Sequence, residues 1–216
     1  MDVQQVIEWL RRLINLDVRV FEEVRSNPNA TFPGVIIVTI AMFIAGLGGW
    51  LWWIVHDFGN SGDILVHSAL VGSAIAVVLW GLVWLGLVYV LLTQVFRERA
   101  YVEQLLRVMG LAAAPLALMG LMFIPAISFG IGVAALALSF GLTNIAIQTV
   151  TTANAGRVLV ANFCGFFVWA AVLTLLASAS FSRLEPHAPG VFLFNATTEL
   201  TGDLVDLGET AQEFLE

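Results

Sequence analysis

His56, Asp57, Asp63 and His67 offer two imidazoles and two carboxylates in one short stretch, a donor set compatible with a transition metal. Two histidines separated by a loop, with no cysteine beside them and no HExxH pattern, read as ordinary interfacial residues. Neither has a spacing code for a haem or pigment. Asn144 and Gln148 lie one helical turn apart, with Thr151 and Thr152 extending the polar side. That face could line a pore or pocket, although an amide pair is also common glue between membrane helices. Ser128, Ser139 and Ser180 have no histidine or lysine near them in sequence, and all nine basic residues are arginine, so no amine is present for Schiff-base chemistry. Cys164 is the one cysteine and has no partner within the chain. The expectation is a chain without catalytic residues, cofactor or metal.

What must position these groups is set by composition. The chain has 216 residues, is 59% hydrophobic and carries only 12% charged residues, which excludes an ordinary soluble domain. Mean hydropathy is +0.92 and there are seven tryptophans and 19 glycines, as suits packed membrane helices with aromatic anchors. Charge-free runs cover 26–56, 64–96, 108–156 and 158–182. Each holds the roughly 20 apolar residues of a spanning helix, and the third, broken by Pro125, holds two. The expected fold is all-α and membrane-integral. Its five spans are placed near 35–55, 66–95, 108–124, 127–148 and 160–179; apolar residues run on without the alternation of barrel strands. No Asp, Glu, Lys or Arg lies inside the spans, which argues against a pump. No inverted repeat appears either.

The flanks complete the plan. Residues 1–27 are expected as an amphipathic surface helix, with Val3, Val6, Ile7, Leu10, Leu13 and Ile14 forming its apolar stripe. Residues 26–34, with two prolines, read as a stiff connector, and no signal peptide is expected ahead of the first apolar run. The membrane domain spans 28–182 and an acidic tail 183–216. Leu200, Leu204, Leu207 and Phe214 form an apolar stripe in that tail, a candidate docking element for a protein partner. Eight arginines fall on one side of the membrane and only Arg183 on the other, which places the N-terminus inside and the C-terminus outside.

Small residues recur at four-residue steps: Ala41, Ala45 and Gly49 in the first span, Gly110 and Ala114 in the third, Gly130 and Ala134 in the fourth. These faces are expected to pack closely, and Pro115 to kink the third span or mark its start. The segment from Leu105 through Gly110 to Pro115 resembles the entry to the third span of the Ypt-interacting protein (YIP) family, where a glycine is followed a few residues on by a proline. Asn144-Ile-Ala-Ile-Gln148 and the stretch from Ala153 to Val160 are similar to the end of the fourth span and the basic connector in bacterial members. The resemblance covers about residues 21 to 179. It implies a polytopic protein without known catalysis, whose eukaryotic relatives bind Rab-type GTPases and assist vesicle traffic. Leu111 stands where the family has an aromatic and the Asp-Leu-Tyr-Gly-Pro signature of eukaryotic members is missing, so GTPase binding by this chain has poor support.

The expected function is a non-enzymatic scaffold or adaptor of a prokaryotic cytoplasmic membrane, acting through lipid and other membrane proteins and not through nucleic acid. Two other classes fit the same sequence: an accessory subunit of a bioenergetic or photosynthetic complex, and a small-molecule channel or transporter.

Overall fold

The computed structural model describes residues 3–55, 65–124 and 127–180. His56, Asp57, Asp63, Pro125, Arg183 and the tail stripe Leu200, Leu204, Leu207 and Phe214 lie outside the described residues, as does the side chain of His67. Five helices are long and apolar enough to cross a membrane: Pro28–Leu51, Ala69–Val95, Val102–Leu121, Ser128–Val150 and Ala155–Leu173. The five-span, all-helical plan expected from the charge-free runs is the observed one, and no strand occurs among the described residues.

The expected N-terminal helix is two. Helix α1 (Val3–Ile14) ends in a turn where Leu16 takes the left-handed φ of 58°, and helix α2 (Val20–Ser26) follows. Asp17 makes the break: it accepts from the Arg19 backbone N–H at 3.2 Å and from Arg12 Nε at 2.9 Å, local bonds that compete with helix continuation. The apolar stripe also splits. Val6, Trp9 and Leu13 are buried with α2, whereas Val3, Ile7 and Ile14 are exposed. Val20, Phe21 and Val24 of α2 are buried where α2 meets the third and fourth spans; removing each such side chain from water contributes about 1.5–3 kcal/mol.

The two prolines of 26–34 start the first span and do not separate it from α2. Asn27 Oδ1 accepts from the Asn29 N–H at 3.0 Å, Pro28–Ala30 forms a 3₁₀ turn, and the helix Thr31–Val55 begins at once. Pro33 falls in the first turn, where a missing N–H costs nothing. Similarly, the third span begins six residues earlier than charge alone suggests, because Arg107 is accommodated inside its first two turns. The fifth begins at Ala155, capped by Asn154 Oδ1, which accepts from the Arg157 N–H at 2.9 Å.

The second span is not a uniform α-helix: Leu65–Gly72, Trp80–Leu85 and Leu91–Val95 are π-helical, with α-helical turns between them. Leu85 apart, its buried residues Ala69, Ser73, Ala76, Trp80, Trp84, Val88 and Leu92 recur nearly every fourth position. That period is longer than the 3.6 residues of an α-helical turn. The wider coil keeps them on one straight seam, as an α-helix would not.

Hydrogen bonds between spans trace a path. Ser73 Oγ donates to Met42 O (3.0 Å), Trp169 Nε1 to Ala76 O (3.3 Å), Asn162 Nδ2 to Phe140 O (3.1 Å) and Ser139 Oγ to Ala112 O (3.2 Å). They link the spans in the order first, second, fifth, fourth, third. Glycine contacts between the third and first spans close the cycle.

Candidate functional site: the basic end of the bundle

Three polar clusters hold the end of the bundle where the arginines collect. In the N-terminal one, Glu23 Oε1 accepts from Trp9 Nε1 at 2.8 Å and Glu23 Oε2 from Arg12 Nη1 at 2.7 Å, fastening α1 to α2. The Trp9 indole, then Arg12, holds the Glu23 carboxyl below its ordinary value, and the Arg12 guanidinium does the same for Asp17. In the central cluster Arg107, only 7% exposed, donates to Thr31 Oγ1 (2.7 Å), Arg25 O (3.1 Å) and Glu103 Oε2 (3.2 Å). One guanidinium thus joins the third span to the end of α2 and the start of the first span. Arg25 donates in turn to Thr149 O of the fourth span. In the third cluster Glu98 binds Arg157 Nη1 at 2.8 Å and Thr152 Oγ1 at 2.9 Å, with Arg157 lying over the Phe96 ring. Neither Arg107 nor Glu98 stands out in the sequence from the other loop charges. No pattern in one sequence marks an arginine as buried; its place one turn inside an amphipathic helix start is the nearest signal.

Below this end, glycines bring backbones together. A Cβ on Gly110 would lie 2.5 Å from Gly34 O, and one on Gly120 2.6 Å from Ile44 Cγ2, while one on Gly48 would collide with Met119 O. A Cβ on Gly165 would lie 2.7 Å from Trp84 O. Ala41, Ala45 and Gly49 are buried on the first span, and Gly110 is at the crossing itself. Gly130 and Ala134, in contrast to the packing expectation, are exposed: a Cβ on Gly130 meets nothing within 4 Å. The fourth span instead buries Gly132, Ala135, Leu136 and Ser139.

Pro115 sits where the α-helix Val102–Ala112 passes into the 3₁₀ segment Ala114–Leu121. Deeper in, Trp84 Nε1 donates to Asn162 Oδ1 at 2.9 Å, beside the rings of Phe166 and Trp169. Asn162 is fully buried and was not singled out by the sequence, where it is one amide in an apolar run. The amide pair that was singled out is not brought to a common site: Gln148 is exposed, and Asn144 is half-buried with its Oδ1 buried and unpaired. Cys164 is half-buried with a free thiol. Among the described residues, no three His, Cys, Asp or Glu side chains are grouped to hold a metal.

These features define a polytopic membrane protein, a bundle of five spanning helices tied at one end by the buried Arg107 and the exposed Arg25 and Arg157. The sequence matches the family model of the Yip1 domain over residues 17–185, most of the chain, and the protein belongs to that family. No curated protein and no solved structure matches it.

Proposed function

We propose that this protein is a bacterial-type member of the family that works as a non-enzymatic membrane scaffold or adaptor, with its N-terminus on the cytoplasmic side of a prokaryotic cytoplasmic membrane. The observation that carries the reading is how the polar side chains inside the bundle are used. Ser73, Ser139, Asn162, Trp84 and Trp169 each direct a polar atom to a neighbouring helix, so they knit spans and do not line an aqueous path. A body so built offers surfaces, to lipid and to other membrane proteins.

The test is in-cell crosslinking of the full chain followed by mild-detergent purification. A scaffold gives a reproducible set of membrane-protein partners. Stoichiometric recovery with cofactor-bearing subunits would assign it to a bioenergetic complex instead, and solute flux through the reconstituted protein would make it a channel.

A further inference from the structure

The loop between the second and third spans alternates. Phe96, Glu98 and Ala100 turn toward the bundle, whereas Arg97, Arg99 and Tyr101 are exposed. The acid of the loop is held inward by Arg157 and Thr152. Arg97 and Arg99 make no ion pair among the described residues, so the charges on the outer face of the loop are both positive. Arg97 also has a left-handed φ of 55°, a conformation in which any L side chain is strained and glycine is the usual occupant. It terminates the second span, with Phe96 N–H bonded to Leu91 O and Glu98 N–H to Leu92 O, each at 2.9 Å. A strained cation kept where glycine would be easier points from geometry to function.

The depth of the loop identifies the anion. Val95 ends one span and Val102 begins the next, and both are exposed on the apolar surface. The few residues between them are therefore held at headgroup level, where Tyr101 is also a favoured interfacial side chain. We propose that Arg97 and Arg99 form a binding site for the phosphate of an anionic phospholipid headgroup in the surrounding bilayer. Guanidinium groups match phosphate oxygens in a bidentate geometry, and the bilayer fixes phosphates beside this loop at a density that no soluble anion reaches.

The test uses the full chain reconstituted in an equal mixture of phosphatidylcholine and phosphatidylglycerol, re-extracted in mild neutral detergent, with retained lipid counted by native mass spectrometry. The parent protein should retain phosphatidylglycerol over phosphatidylcholine. Arg97→Gln and Arg99→Gln should each lower that retention about fivefold, while Arg97→Lys keeps part of it. Arg97→Gly separates site from fold: it should melt higher in detergent because strain is relieved, yet lose retention. Arg19→Gln, at an exposed arginine of the same end, should leave retention unchanged. Equal retention of both lipids by the parent, or parental retention by the double glutamine variant, overturns the proposal. So does an equal loss in Arg19→Gln, which would mean diffuse charge attraction. Complete displacement of phosphatidylglycerol by inorganic phosphate would reassign the site to a soluble anion and likewise overturn it.

Discussion

Ser139 donates its hydroxyl hydrogen to the carbonyl of Ala112, 3.2 Å away on the neighbouring span. That carbonyl is left vacant by the proline three positions further along the chain. Pro115 has no N–H for a 3₁₀ bond, and the Leu116 N–H goes to Ala113 O at 3.0 Å. The fourth span thus repairs a defect in the third.

Ser139→Ala should therefore destabilise the bundle by about 1 kcal/mol in a detergent unfolding assay. Pro115→Ala supplies a local N–H for the same carbonyl, so the serine substitution should cost less in that background. A double-mutant cycle reads the coupling directly; strict additivity would show that the two residues do not share the carbonyl.

Close helix approach predicts a contrast between glycines. Gly110→Ala forces a methyl against the backbone of Gly34 and should cost about 1–3 kcal/mol, with Gly110→Leu worse. Gly141→Ala meets nothing within 4 Å and should be neutral or stabilising by up to about 1 kcal/mol. Thermal unfolding of both variants in one detergent checks the pair.

Arg107→Leu removes three hydrogen bonds and leaves Thr31 and the Arg25 carbonyl without their donor. A loss of about 1–3 kcal/mol is expected, larger than for an exposed arginine. Because the arginine clasps the end of α2, limited proteolysis should cut the N-terminal segment faster in the variant. Unchanged cleavage would mean that burial of Val20 and Phe21 alone holds α2 in place.

Much of this architecture was legible in the sequence, and the reason is physical. Continuous apolar runs and lopsided arginines report directly on the bilayer, so the number of spans followed from solvent alone. Which face of a span packs inward did not. Gly130 and Gly132 differ by two positions, and in a helix apolar on all sides nothing in composition separates the exposed one from the buried one. The π-helical turns were equally silent. The seam at Ala69, Ser73, Ala76, Trp80 and Trp84 has its longer period in the sequence, but the residues between are apolar too and give no contrast. Buried Arg107 and Asn162 depend on partners 76 and 78 residues away.

Acid should loosen α1. Asp17 and Glu23 have carboxyls held below their ordinary values of 3.8 and 4.5 by Arg12 and by the Trp9 indole. A lowered folded-state pKa means that the contribution is complete above those values and is lost as pH falls through the lower, folded ones. Trp9→Phe, which removes the indole donor, should raise the pH at which α1 detaches. Proteolysis or a fluorophore near residue 3, titrated from neutral pH into that acid range, measures it.

The arginine asymmetry, eight against Arg183, predicts orientation. A reporter active only outside the membrane should be silent at Met1 and active after Glu216. The reverse pattern would invert the proposed placement of the basic end, and with it the leaflet that supplies its lipid.

The mixed coil of the second span has a metrical consequence. Its 27 residues, wound throughout as an α-helix, would climb about 40 Å, well beyond a hydrocarbon layer of about 30 Å. Wider π turns place more residues in each circuit and gain less height per residue, so part of the surplus is taken up as girth. The span therefore comes nearer to the thickness of its bilayer without leaning as far as its residue count would demand, while its tryptophan seam stays packed on the fifth span.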